Sequence, residues 1–137
     1  MIPMSARSTG LTKDAGWQVG VSRTLPQSPA TVWEFISGPR GLELWLGAGA
    51  RLTDEPGTPY ETDEGIAGEV RGYRPGDRIR VTYGDTTVQV AVSAAGGGRS
   101  VLVFHQERMA GPEERERQRA HWRRVMERVA EALDERA

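Results

Sequence analysis

The imidazole and thiol side chains best suited to acid–base, nucleophilic or metal chemistry are few in this sequence, and their spacing limits what they can do. Only two histidines are present, His105 and His121, and there is no cysteine. A conventional zinc site would have to supplement both histidines with carboxylates, so no metal is expected. His121 adjoins Trp122 and falls off the centre of a helical apolar stripe, which marks it as a partly exposed helix residue. His105, followed by Gln106 and Glu107, reads as a surface strand residue. No Gly-x-Ser-x-Gly elbow occurs and nothing in the spacing sets a base beside a serine, so no catalytic residue is assigned. Among the carboxylates, Asp63, Glu64, Glu69 and Glu107 would act as general acid or base only if one were buried in a cavity. Glu69 is the best placed of them, because Gly68-Glu69-Val70 lies within a strand, although alternation can aim it inward or at solvent.

Two further patterns point away from phosphate and nucleic acid. Gly96-Gly97-Gly98 is followed by neither a helix nor a Lys-Ser or Lys-Thr pair, so it reads as a hairpin turn. Arg115, Arg117, Arg119, Arg123, Arg124 and Arg128 are interleaved with Glu113, Glu114, Glu116, Glu127 and Glu131, several of them three or four apart. That pattern predicts a salt-bridged solvent face rather than a nucleic-acid surface. The stronger signal is aromatic: Trp45, Tyr60, Tyr73, Tyr83, Phe104 and Trp122. Ligand pockets are mostly apolar with a few orienting polar groups, and an interior of Tyr83, Phe104, Trp122 and Met126 would suit that description. A solid core would suit it equally, since burying each large side chain contributes about 1.5–3 kcal/mol without any ligand.

The elements that must position these residues follow from periodicity. Trp122, Val125, Met126, Val129 and Leu133 recur at steps of three and four, which predicts an amphipathic helix from Glu113 to Leu133, started by Pro112 and an acidic first turn. Trp17 to Leu25 alternates as a strand; Thr31 to Ile36 and Arg40 to Leu46 read as two short helices separated by Gly38-Pro39. From Ala50 onward, regular turns separate the strand-length segments Arg51 to Thr53, Pro59 to Thr62, Ile66 to Tyr73, Arg78 to Tyr83, Thr86 to Ser93 and Ser100 to Glu107, an antiparallel meander. The last of these is apolar on both parities, with Val101 and Val103 opposed to Leu102 and Phe104.

The 137 residues suit one domain, and a net charge of -1 gives no general field for nucleic acid or an acidic membrane. Met1 to Gly16 reads as a flexible arm without the apolar run of a signal peptide, and no segment reaches the length of a membrane span, so a cytoplasmic protein is expected. Arginine outnumbers lysine 17 to 1, which reads as a high-GC bacterial genome.

Strand, two short helices, meander and long terminal helix make a helix-grip arrangement, and particular runs sharpen it. Ser28-Pro29-Ala30-Thr31-Val32-Trp33, Leu44-Trp45-Leu46-Gly47, Gly68-Glu69-Val70 with Arg74-Pro75-Gly76-Asp77-Arg78-Ile79, and Trp122 with Val125 and Val129 resemble the START-like SRPBCC superfamily. Within it, the chain resembles bacterial homologues of the heat-shock-protein-90 ATPase activator's C-terminal domain. The resemblance implies an α+β helix-grip fold: a curved antiparallel sheet of about six strands wrapped around the C-terminal helix, in one domain over residues 17–136 after an arm of 1–16. It implies a small hydrophobic or aromatic ligand held between sheet and helix, with Trp45, Tyr60, Glu69, Tyr83, Val90, Phe104, Gln106, Trp122 and Met126 as candidate ligand-binding residues and no cofactor. The alternatives it carries are a protein-interaction module, either a chaperone accessory or a homodimer, and a polyketide-cyclase-like enzyme using Glu69 or His105.

Overall fold

The computed structural model describes residues 11–12 and 16–136. In chain order these form β1 (Leu11–Thr12), β2 (Gly16–Leu25), α1 (Pro29–Ser37), α2 (Pro39–Trp45), β3 (Pro59–Glu61), β4 (Ala67–Arg74), β5 (Arg78–Tyr83), β6 (Thr86–Gly96), β7 (Arg99–Met109) and α3 (Pro112–Arg136). The strands make one antiparallel sheet in the order β1-β2-β7-β6-β5-β4-β3, with α3 packed along its inner face. This is the expected helix-grip α+β fold.

Two expectations differ in detail. Arg51 to Thr53 has no ladder partner, because Pro59–Glu61 takes the edge beside β4 and leaves the preceding segment irregular. Leu11 and Thr12, inside the segment read as an arm, pair with Trp17 and Gly16 of β2. The remainder of that segment lies outside the described residues.

Local chemistry explains the helices. Ser28 caps α1 by accepting from the Thr31 amide at 3.2 Å, and Pro29 sits in the first turn, where its missing N–H is no loss. Gly38 ends α1 and begins α2, and Gly41 lets the two helices touch: a Cβ there would come within 2.0 Å of the Phe35 carbonyl oxygen. The Trp45 indole donates to the Ile36 carbonyl at 2.9 Å and locks α2 against α1. At the start of α3, the Glu114 carboxylate accepts from the Ala110 amide at 3.0 Å and ties the entering chain to the helix's first turn.

The core is the meeting of two periods. The inward row Ile79–Val90–Phe104 crosses β5, β6 and β7, with Val81–Val88–Gln106 in the next row and Val92–Leu102 beyond it. Trp122, Val125, Met126, Val129 and Leu133 of α3 are all buried against these rows, as their spacing predicts. Val101 and Val103 take the opposite parity and remain half-buried on the outer face, so the two-sided apolar character of β7 is not absorbed by the core. Among the described residues no helix is long and apolar enough to cross a membrane.

Candidate ligand-binding groove

The one polar residue in the inward row of β7 sets the geometry of the site. Gln106 is 2 % exposed, and burying an amide without partners would cost on the order of 1–3 kcal/mol. Its partners are present. The Gln106 carbonyl accepts from the Trp122 indole N–H and from the Gln118 amide, both at 2.9 Å, while its own NH2 donates to Thr86 Oγ1 at 2.9 Å. Thr86 in turn donates to the Tyr83 carbonyl at 2.7 Å. The network ties the first half of α3 to the β5–β6 hairpin.

Beneath it the grip is filled. The Trp122 ring stacks on Phe104 at a centroid distance of 5.0 Å and an interplanar angle of 20°. Val90, Phe104 and Val129 have no surface that water can reach, so they border neither solvent nor an internal void of water size. Met126 and Trp122, at 3 % and 2 %, complete this packing.

Above the network the grip opens. One cleft, of about 300 Å³, lies between the β5–β6 turn and α3, with Gln106 in its floor and Tyr83, Thr86, Arg108 and Gln118 among its walls. A second, of about 390 Å³, runs between the α2–β3 segment and α3, bordered by Trp45, Thr62, Glu64, Tyr83, His121 and Arg128. Ile66 and Tyr83 line both, so the two clefts adjoin at these residues as the two parts of the groove. The charges along it are mixed: Asp85 and Glu114 against Arg108 in the first part, Glu43 and Glu64 against His121 and Arg128 in the second. His121 packs edge-on to Trp122 at 4.9 Å, and burial lowers its pKa, with Arg124 and Arg128 adding to the effect. Burial raises the Tyr83 pKa, helped by Glu64, so its hydroxyl stays protonated and available as a donor.

The residues singled out from sequence are thus divided by depth. Tyr83 and Gln106 line the first cleft, and Tyr83 and Trp45 the second. Val90, Phe104, Trp122 and Met126 belong to the packed interior. Tyr60 is buried with its hydroxyl donating to the Thr82 carbonyl, and burial raises its pKa, which suits a structural strut. Glu69 turns to Arg71 at 3.1 Å and is 38 % exposed. His105 faces the outer side of the sheet, 2.7 Å from the Gln18 amide oxygen, and burial lowers its pKa despite the opposing pull of Glu107. Groove residues without an earlier signal include Ile66, Thr86 and Arg108. Gln118 was detectable, since it extends the α3 stripe by one step of four before Trp122. Among the described residues no group of three His, Cys, Asp or Glu could hold a metal.

With that geometry in place, comparison with known proteins is informative. Residues 26–134 match the family described as activator of Hsp90 ATPase homolog 1-like protein (AHSA1). No curated protein matches. Among solved structures, DynU16, a putative protein in the dynemicin biosynthetic locus, is similar with a TM-score of 0.72 and 23% identity, over 85% of this chain and 47% of that one. The AHSA1 protein from Silicibacter pomeroyi has a TM-score of 0.70 and 16% identity, over 88% and 99%. The Aha1 dimer from Colwellia psychrerythraea, solved in solution, has a TM-score of 0.69 and 11% identity, over 85% and 95%. At these identities the likeness concerns the fold.

Proposed function

We propose that this chain, which belongs to the activator of Hsp90 ATPase homolog 1-like family, is a small-molecule-binding domain whose ligand lies in the groove lined by Tyr83, at the mouth of the grip. The observation that carries the reading is the contrast of depth. The interior around Phe104 and Trp122 has no room, whereas each half of the groove has a volume within the range of small-ligand sites. Tyr83 and Ile66 supply apolar contact for an aromatic or aliphatic body, and Gln118 and Thr86 supply hydrogen bonds that orient it. The function assigned is binding; His121, Glu43 and Glu64 in one half of the groove and Asp85 and Glu114 in the other are given no catalytic role in this reading. A neutral aromatic probe, N-phenyl-1-naphthylamine, tests it by fluorescence titration: saturable binding that weakens at least tenfold in Tyr83→Ala supports the groove, and no binding removes it.

A second reading has its own observation. Val101 and Val103 leave an apolar strip on the outer face of β7, and a fold relative is described as a dimer. Self-association through that face predicts twice the chain mass in light scattering and a monomer in Val103→Lys; a monomeric wild type would dispose of it.

A further inference from the structure

On the outer face of the sheet, away from the groove's packed floor, a concavity of about 350 Å³ is bordered by Arg71, Arg80, Thr82, Thr87, Asp85 and Arg108, with Gly84 and Thr86 at its turn end. We infer that this concavity is a binding site for a tetrahedral oxyanion, the phosphate group of a small phosphorylated molecule, gripped by Arg71, Arg80 and Arg108.

The backbone builds the cluster in an uncommon way. In β4, Val70 pairs with Val81 and Gly72 with Arg80, so Arg71 is the extra residue of a β-bulge. In β7, Gln106 pairs with Val19 and Met109 with Trp17, so Gln18 alone opposes both Glu107 and Arg108. Bulges interrupt alternation and re-aim a side chain, and here two separate bulges bring arginines to the same concavity from opposite sides. Arg108 is also the one non-glycine residue among those described with a positive φ, 68°. A side chain at that φ is strained, and such conformations persist where the surrounding structure imposes them, often at ligand sites.

Between the bulges stands Arg80, whose guanidinium is held from behind. It donates to the buried Glu107 carboxylate and reaches the Gln89 amide oxygen at 3.5 Å. An anchored fork keeps its remaining N–H groups in place and loses less freedom when an anion arrives. Arg71 is joined to Glu69 at 3.1 Å through one nitrogen. Among the residues bordering the concavity, three guanidinium groups face one carboxylate, Asp85, while Glu69 and Glu107 act as partners of Arg71 and Arg80. Thr82 and Thr87 add hydroxyls that can donate to an oxyanion. The combination of forked donors and short hydroxyls suits phosphate better than a flat carboxylate, which a single fork would satisfy.

The test is a titration of the whole chain followed by amide chemical shifts, at constant ionic strength with chloride as the reference anion. Inorganic phosphate and glycerol 3-phosphate form separate arms. Saturable shifts clustered at Arg71, Thr82, Gly84 to Thr87 and Arg108, weakened at least fivefold by Arg71→Gln or Arg108→Gln and unchanged by Arg51→Gln, support the site. Tighter binding of the ester than of the free ion assigns a phosphorylated small molecule as its ligand, and the reverse assigns the free ion. Shifts spread over the arginines of α3, or equal affinity in the Arg71→Gln/Arg108→Gln double variant with its wild-type spectrum retained, would overturn the inference. Arg80→Gln is avoided because it would strand Glu107. The concavity shares Gly84, Asp85, Thr86 and Arg108 with the first cleft but is not bordered by Tyr83, so Tyr83→Ala should leave the phosphate response intact.

Discussion

The floor and the mouth of the grip are built from adjacent residues of the same elements, yet they behave as different materials. Phe104 and Trp122 stack with no accessible void, while Gln106 and Gln118, two and four residues away along β7 and α3, sit where the sheet and helix part. The difference lies in what each side chain requires. A stacked aromatic pair needs only contact, so the floor closes to the packing density of a core. A buried amide needs directed partners, and satisfying Gln106 from α3 on one side and Thr86 on the other fixes the spacing at which the groove begins. Here a polar layer, rather than an absence of apolar residues, marks the boundary between core and site.

Substitutions can break this contrast, and the floor should respond most. Trp122→Ala removes the stacked ring and the indole donor together and is expected to cost about 3–5 kcal/mol of stability, read by urea unfolding. That is a large share of the roughly 5–15 kcal/mol available to a domain. It should also open a cavity beneath Gln106, and a variant that bound the aromatic probe more tightly than wild type would indicate that the cavity joins the groove. Gln106→Met, nearly isosteric, keeps the volume but strands the Trp122 N–H, for an expected loss of about 1–3 kcal/mol. A neutral result there would mean that the boundary does not depend on the polar layer.

The mouth should show the opposite balance. Tyr83→Ala, at a half-buried position, is expected to lower stability by about 1 kcal/mol or less while weakening probe binding at least tenfold. The smallest effect concerns pH. Burial lowers the native pKa of both His105 and His121 below the unfolded value of about 6.5, so the unfolded chain binds more protons in that window. Their contribution to stability is complete above about pH 6.5 and declines as pH falls toward the lowered native values. Unfolding midpoints measured from pH 7.5 down to 5.5 should fall less steeply in a His105→Gln/His121→Gln variant; an unchanged slope would contradict the assignment.

Most of this architecture is legible in the sequence because it rests on period. Val88, Val90 and Val92 against Ile79 and Val81, and the α3 stripe from Trp122 to Leu133, face each other as alternation and helical spacing require. The depth of each aromatic residue was not legible. Period places Tyr83 and Phe104 on one face, but only the position of each along the grip decides that Phe104 is roofed by Trp122 and Tyr83 is not. Bulges were beyond reach for a related reason: an extra residue such as Arg71 or Arg108 breaks the very alternation by which a strand is read. Glu69 shows the limit from the other side, since its strand was identified while alternation left open whether it faced inward or, as found, toward Arg71.

The central claim is that ligand binds at the mouth and not in the interior. Methyl and amide NMR spectra recorded during titration with N-phenyl-1-naphthylamine test it directly. The account predicts shifts concentrated at Ile66, Tyr83, Thr86 and Gln118, with the methyls of Val90 and Val129 unmoved. Perturbation centred on those interior methyls, or none at saturating probe, would contradict it.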